Sequence, residues 1–197
     1  LHASGHILNV NTKALSLAGL LTSGINHPGI LLDVDGLPTG ELKGPEVMMS
    51  VAGYVGFDRS LTDADAQGLQ DFAKLCVRAG VITVTDLASR LSDETVEMME
   101  KITSAADFPA RLVPLKFFIG LSPKDLVARV RKLAKRSTDR LRLGKIKIVA
   151  DGSIQGFSAR MRWPGYYNGA PNGLWYITPE QLSEIYHLAL QAGVQVH

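Results

Sequence analysis

Five residues of this 197-residue chain combine a reactive side chain with a place at the end of an extended apolar run: Asp86, Lys116, Lys147, Asp151 and His197. Lys147 makes the strongest demand. In residues 144–153 the side chains alternate, so Ile146, Ile148 and Ala150 share one face while Lys145, Lys147, Val149 and Asp151 share the other. If helices cover the isoleucine face, Lys147 projects into an interior where an ammonium needs a partner, a metal link or chemical modification. A lysine of lowered pKa forms a Schiff base with a carbonyl substrate. A lysine carbamylated on its amine becomes a carboxylate able to hold or bridge metal ions. An edge strand with both lysines in water accounts for the same alternation. The other four also have plain readings. Asp86 caps a turn as readily as it touches substrate. Lys116 precedes Phe117 and Phe118 and can simply leave the core. Asp151-Gly152-Ser153 is either an ordinary turn or a pair of backbone N–H groups offered to an anion. His197 taken alone is more often structural than a ligand.

The elements that would position these residues follow from caps and periodicity. Thr62 is the expected cap of a helix with Asp63 and Asp65 in its first turn, Leu69, Phe72, Ala73 and Cys76 inward, and Gly80 as its stop. A strand is predicted at 81–85, ending at Asp86. The next helix begins near Ser92 with Val96, Met99 and Ile102 inward. A strand over 110–118 leads to a helix opened by Ser122-Pro123, with Leu126, Val130 and Leu133 buried. The strand at Lys145 follows. A loop rich in Gly, Pro, Tyr and Trp spans 151–177, longer than a connector requires. A last helix after Thr178-Pro179, with Leu182, Ile185, Ala189 and Leu190 inward, returns to a strand over 194–197.

This alternation makes the fold class α/β, the βα repeat of a parallel sheet or a TIM-type (β/α) barrel. About four strands are visible where a barrel needs eight. The expectation is therefore a partial barrel over 59–197, incomplete at both ends, cut from the middle of a larger protein. Residues 1–58 read as a small α+β inserted domain on the N-terminal side. Asn11 or Thr12 caps a short helix with Ala14, Leu15 and Ala18 apolar. A hairpin is centred on Asp35-Gly36, between Ile30–Leu32 and 40–42. The apolar stretch 45–57 leaves its element open.

Composition narrows the functional classes. With 46% hydrophobic and 20% charged residues the chain is globular and long enough for one large core or two small ones. A net charge of +2 with scattered basic residues argues against nucleic acid as a partner. The densest basic run, 129–142, reads as the solvated face of one helix. Cys76 is the sole cysteine, which excludes an internal disulfide and a zinc–thiolate cluster. No uncharged apolar run approaches the roughly 18 residues of a membrane span, so no membrane association is expected. The chain opens at Leu1 without a methionine or signal-like segment, and a longer precursor is the expectation. Location is not readable from this end, and the cytoplasm is only the default.

Several blocks then come in a familiar order: Ser4-Gly5-His6, Val10-Asn11-Thr12-Lys13-Ala14-Leu15, Gly36-Leu37-Pro38-Thr39-Gly40-Glu41, Gly80-Val81-Ile82-Thr83 with Asp86, and residues 147–153 with Ala159. In this order they resemble amidohydrolase family 3, the YtcJ-like metal-dependent hydrolases of the amidohydrolase superfamily. The resemblance covers nearly the whole chain. It implies a TIM-barrel hydrolase of non-peptide carbon–nitrogen bonds, acting on a small amide-like substrate with one or two divalent ions, zinc being the expected one. Lys147 matches the position that supplies the carbamylated lysine of binuclear members. His197 is the weaker metal candidate, because the family's histidine usually falls two residues later.

The first metal motif, His-x-His, is expected upstream of Leu1 and the catalytic aspartate beyond His197. The catalytic residue is thus unknown here, and the segment alone is expected to be inactive. In the intact protein the resemblance implies attack of a metal-activated water on the amide-like carbonyl, with the aspartate moving the proton. The substrate-binding candidates are His6, Asp86, Asp151, Arg160, Arg162 and Trp163, with Tyr166, Tyr167 and Trp175 beside them on the long loop. Arginine and aromatic groups there suit an acidic or aromatic substrate part, and aromatic packing of the loop onto the protein explains them equally. A homodimer is an open expectation. The competing readings are a lysine Schiff-base lyase or aldolase on the same barrel, and a non-catalytic binding or regulatory protein that kept the fold without the metal.

Overall fold

Short apolar segments joined by well-capped turns build the first elements, β1 (Ile7–Asn9) and α1 (Thr12–Leu17). The computed structural model describes residues 1–56 and 65–197. Asn11 caps α1, its side-chain oxygen accepting from the Ala14 N–H at 3.0 Å. The expected hairpin forms between β2 (Ile30–Leu32) and β3 (Pro38–Lys43), which pair antiparallel. Its turn is held by Asp33, whose Oδ1 accepts from the N–H groups of Asp35 and Leu37, while Gly36 takes the positive φ of 75°. β1 pairs with the other edge of β3, giving the order β1-β3-β2. The stretch whose element the sequence leaves open begins as helix α2 (Pro45–Ala52), with a proline in its first turn, followed by a 3₁₀ turn, Gly53–Val55. Val47, Met48 and Val51 pack with Leu8, Ala14, Leu15, Ile30 and Leu42 into one apolar core.

The chain separates into two compact units. This first one comprises Leu1–Leu61 with Val149–Thr178, so it is discontinuous in sequence and takes in the whole of the long loop. The expected linear boundary between residues 58 and 59 falls outside the described residues.

The second unit comprises Thr62–Ile148 with Pro179–His197. Thr62 and Asp63, the expected start of its first helix, also lie outside the described residues; Asp65 is the observed cap of α3 (Ala66–Arg78), accepting from the Gln67 N–H at 3.0 Å. Ala73 is buried in this helix and Phe72 is not. The helix turns Leu69, Ala73 and Val77, spaced four apart, onto Ile102, Phe108 and Ala110, which leaves Phe72 about 100° away on the open side. After β4 (Thr83–Ser89), α4 (Asp93–Ser104) is capped by Ser92 and buries Val96, Met99 and Ile102 as expected. After β5 (Arg111–Phe117), α5 (Pro123–Ala134) is capped by Ser122 and buries Leu126, Val130 and Leu133. Then come β6 (Lys145–Lys147), α6 (Pro179–Gln191) and β7 (Gln195–Val196). In α6, Ile185 and Ala189 are buried, whereas Leu190, one residue round the helix from Ala189, is 82% exposed.

The four strands lie in chain order, β4-β5-β6-β7, and each neighbouring pair is parallel. Strands that follow one another in parallel need crossovers, and the helices supply them. This is the mixed α/β arrangement expected of part of a TIM-type amidohydrolase fold. The register sorts the faces. Val84 pairs with Leu112, and both pack with Val96, Met99 and Leu133 from the helices, so that face is the covered one. Ile146 is wholly buried, which is worth about 2–3 kcal/mol of apolar transfer for one side chain. Among the described residues no helix is long and apolar enough to cross a membrane.

Candidate functional site

Lys147 and His197 are brought together by strand register. Ile146 pairs with Val196, and beyond that pair the Ile148 N–H donates to the His197 carbonyl at 2.8 Å, so Lys147 and His197 end adjacent strands side by side. Their side chains meet, with Lys147 Nζ 3.1 Å from His197 Nδ1. An ammonium has no lone pair, so the lysine donates and the imidazole accepts on Nδ1. One step back along the same strands, Lys145 Nζ donates to Gln195 Oε1. Both lysines are half-buried, Lys145 paired with Gln195 of β7 and Lys147 with His197 just beyond it, while Ile146 and Ile148 are buried on the opposite face. The alternation thus works as a sorting of faces, and Lys147 is neither a free surface lysine nor an unpartnered one.

Asp86 and Lys116 do not join that pair. Asp86 pairs in register with Pro114, on the face of Val84 and Leu112, and its carboxylate accepts from the Ala88 N–H at 3.1 Å. It is a turn-former at an irregularity of β4. Lys116 pairs with Ile146 and therefore lies on the covered face, with 9% of its surface exposed. Burial depresses its pKa, and the Arg129 and Arg90 charges push it further the same way.

The remaining candidates belong to the first unit, and most are tied into its loop. Asp151 Oδ2 accepts from the Arg160 N–H at 2.8 Å, and the Arg160 guanidinium reaches the Gly173 carbonyl at 3.3 Å and lies 5.5 Å from the centre of the Trp175 ring. The Ser153 N–H donates to Ser158 Oγ at 3.0 Å, so this N–H of the Asp-Gly-Ser turn is used inside the protein rather than offered to an anion. His6 stacks on Tyr176, ring centres 5.7 Å apart. Burial lowers the His6 pKa, partly opposed by the Asp151 charge, and burial raises that of Tyr176. Arg162 and Trp163 differ from these. Trp163 is 94% exposed, and both line an open depression of about 450 Å³ with Met161, Tyr166 and Asn172.

Two positioning residues carry no signal strong enough to be singled out from sequence. Asn172 clamps the loop, accepting from the Met161 N–H at 2.7 Å and donating to its carbonyl at 2.9 Å. Tyr176 braces His6. Only the Pro-Asn-Gly turn composition around Asn172 hints at its part.

A divalent ion implied by the resemblance finds part of a ligand set. His197 offers an imidazole, and Lys147 would contribute as a carbamate, because an ammonium does not ligate. Among the described residues no group of three or more His, Cys, Asp or Glu side chains is arranged to hold a metal.

Comparison with known proteins bears on this geometry. The model of the amidohydrolase family matches residues 1–197. A search of curated proteins finds no match. Among solved structures, the chain is similar to an uncharacterized metal-dependent hydrolase from Pyrococcus horikoshii OT3, with a TM-score of 0.54 and 17% identity over 97% of this chain and 36% of that one. It is also similar to one from Pyrococcus furiosus, with a TM-score of 0.55 and 14% identity over 97% of this chain and 37% of that one. The chain thus spans about a third of the length of these structures, and the likeness is one of fold.

Proposed function

The chain belongs to the amidohydrolase family, and from that premise we propose that it is the central part of a metal-dependent hydrolase acting on non-peptide carbon–nitrogen bonds of a small amide-type substrate. The observation that carries this reading is the Lys147–His197 pair, two nitrogen side chains 3.1 Å apart at the carboxyl ends of adjacent parallel strands. That is where βα folds build their chemistry. Lys147, carbamylated, and His197 would hold one or two divalent ions, with zinc the first ion to test. Such an ion supplies Lewis acidity and lowers the pKa of water.

The chain's own residues have narrower tasks. The ends of β6 and β7 hold Lys147 and His197 side by side, and carbamylation of Lys147 would remove the ammonium that donates to His197 Nδ1 and so free that lone pair for an ion. Ile146, buried behind them, keeps the strand from shifting. Arg162 and Trp163, exposed around their depression, are the substrate contacts we favour, suited to an acidic or aromatic group. His6, Asp151 and Arg160 act on this reading as the frame of that loop. Asp86 acts as a turn-former.

The 197-residue segment alone would not turn over substrate, since only two candidate ligands meet among its described residues. The test is elemental analysis of the full-length protein together with hydrolysis of a panel of N-acyl and amide substrates. At least about one divalent ion per chain is expected, and Lys147→Met should abolish both metal and turnover. A full-length protein that hydrolyses amides equally well after Lys147→Met would overturn the assignment. Trapping of a carbonyl substrate on Lys147 by borohydride would favour a Schiff-base lyase instead.

A further inference from the structure

Away from the Lys147–His197 pair, the second unit carries a cluster of cations with too little negative charge to balance it. The bulge in β4 places Ser89, rather than the residue expected from the preceding pairs, opposite Lys116. Both side chains are nine-tenths or more buried. Among the described residues Lys116 Nζ has no hydrogen-bond or ion-pair partner, and it is not one of the sealed unpartnered atoms, which are Ser153 Oγ and the Tyr176 hydroxyl oxygen, so the stem is buried while the ammonium stays within reach of a dissolved ligand. Arg90 follows Ser89 directly. Leu91, held at a φ of 47° and almost fully buried, turns its carbonyl to accept from Arg129 Nη2 at 2.9 Å, which brings a second guanidinium to the same stretch. Asp93 meets that nitrogen at 2.7 Å and is, among the described residues, the one carboxylate in the group, leaving Nη1 and Nε of Arg129 uncommitted there. The depressed pKa of Lys116, owed to burial and then to Arg129 and Arg90, reports the same imbalance.

We propose that Lys116, Ser89, Arg90 and Arg129 form a binding site for a small oxyanion, such as phosphate or the phosphate or carboxylate end of a metabolite, on the helix-covered face of the sheet. An oxyanion would accept from the ammonium, the Ser89 hydroxyl and the two guanidinium groups, replacing an uncompensated charge with charge-assisted hydrogen bonds. Arginine suits the planar or tetrahedral oxygens of such a ligand better than a second lysine would. The site lies on the sheet face opposite Lys147 and His197, so its occupation is separate from the hydrolytic reading.

The test uses the full-length protein and inorganic phosphate at constant ionic strength, followed by isothermal titration calorimetry and by the shift in thermal midpoint. Binding in the millimolar range or tighter is expected, with a rise in midpoint as phosphate is added. Lys116→Met and Arg90→Gln should each weaken binding by about tenfold or more, the loss of one charge-assisted hydrogen bond. Lys13→Gln, an exposed charge in the other unit, should leave it within about twofold. Arg90 is exposed, so its variant tests the site even if Lys116→Met were poorly folded. Absence of phosphate binding, or equal weakening by all three substitutions, would overturn the proposal, the latter showing general charge attraction rather than a site.

Discussion

The two units hold their candidate residues by opposite means. In the parallel-sheet unit, side chains do the holding: Ile146, Leu126, Val130 and Leu133 are all but fully buried, and Lys147 and His197 ride on strands fixed from behind. In the first unit, the loop carrying Arg160 to Trp175 is held by close backbone approach and by polar side chains that satisfy the main chain. A Cβ on Gly173 would lie 2.1 Å from the Ser158 carbonyl oxygen, and one on Gly152 would lie 2.3 Å from Ser158 Oγ. Apolar packing tolerates small shifts and is non-directional, whereas hydrogen-bonded loop packing fails abruptly when one backbone cannot come close. The sheet unit is therefore built to keep a strand end rigid, and the loop unit to hold one chosen shape.

This contrast can be broken experimentally, the largest effect first. Ile146→Ala should destabilise the parallel-sheet unit by about 2–5 kcal/mol, read by chemical denaturation, because a wholly buried side chain leaves a cavity. Gly173→Ala should destabilise the loop unit by about 1–3 kcal/mol through overpacking, and proteolysis of the loop should quicken while the sheet unit stays protected. If the two substitutions exposed the same segments, the division of labour would be wrong. Ser122→Ala, removing the side-chain oxygen that accepts from the Asp125 N–H at 3.2 Å, should lower stability by about 1 kcal/mol.

The smallest effect distinguishes the units by pH. Burial lowers the His6 pKa below its ordinary 6.5, so the unfolded chain takes up this proton first on acidification. The contribution of neutral His6 is present above pH 6.5 and is lost as pH falls from there toward the folded pKa. In the sheet unit, Arg136 bonds both oxygens of Glu100 at 2.7 and 2.6 Å and holds that carboxyl below its ordinary 4.5. Its contribution is present above pH 4.5 and is lost only as pH falls through the depressed value. Hydrogen exchange followed from pH 7 to 4 should show the His6 region loosening before the Glu100 region, and His6→Gln should flatten the loosening of the His6 region alone.

Much of the architecture was legible in the sequence, because its signals are local. Asn11, Ser92 and Ser122 cap helices, and Asp33 with Gly36 closes the hairpin, through contacts spanning four residues or fewer. The core positions of α4 and α5 followed from helical spacing. Phe72 and Leu190 were misplaced because periodicity names a stripe about 100° wide and only the packing partner chooses which edge of it turns inward. The polar loop was the least legible. Asp151 and Arg160 are chemically suited to substrate, and nothing in their spacing shows that Asp151 binds the Arg160 backbone and that the Arg160 guanidinium folds back onto Trp175 and Gly173.

What the sequence determined by itself was the βα alternation, the amidohydrolase blocks and the period-two segregation of Lys147 from Ile146, all of them encoded by residue type at short range. The tertiary structure alone decided which lysine had a partner. Register across β5, β6 and β7 set Lys147 beside His197, fifty residues away, and put Lys116 on the other face among arginines. Strand register is a long-range property, fixed by which faces are buried, and a one-residue slip of β5 against β6 would have set Lys116 opposite Lys147 on the same face.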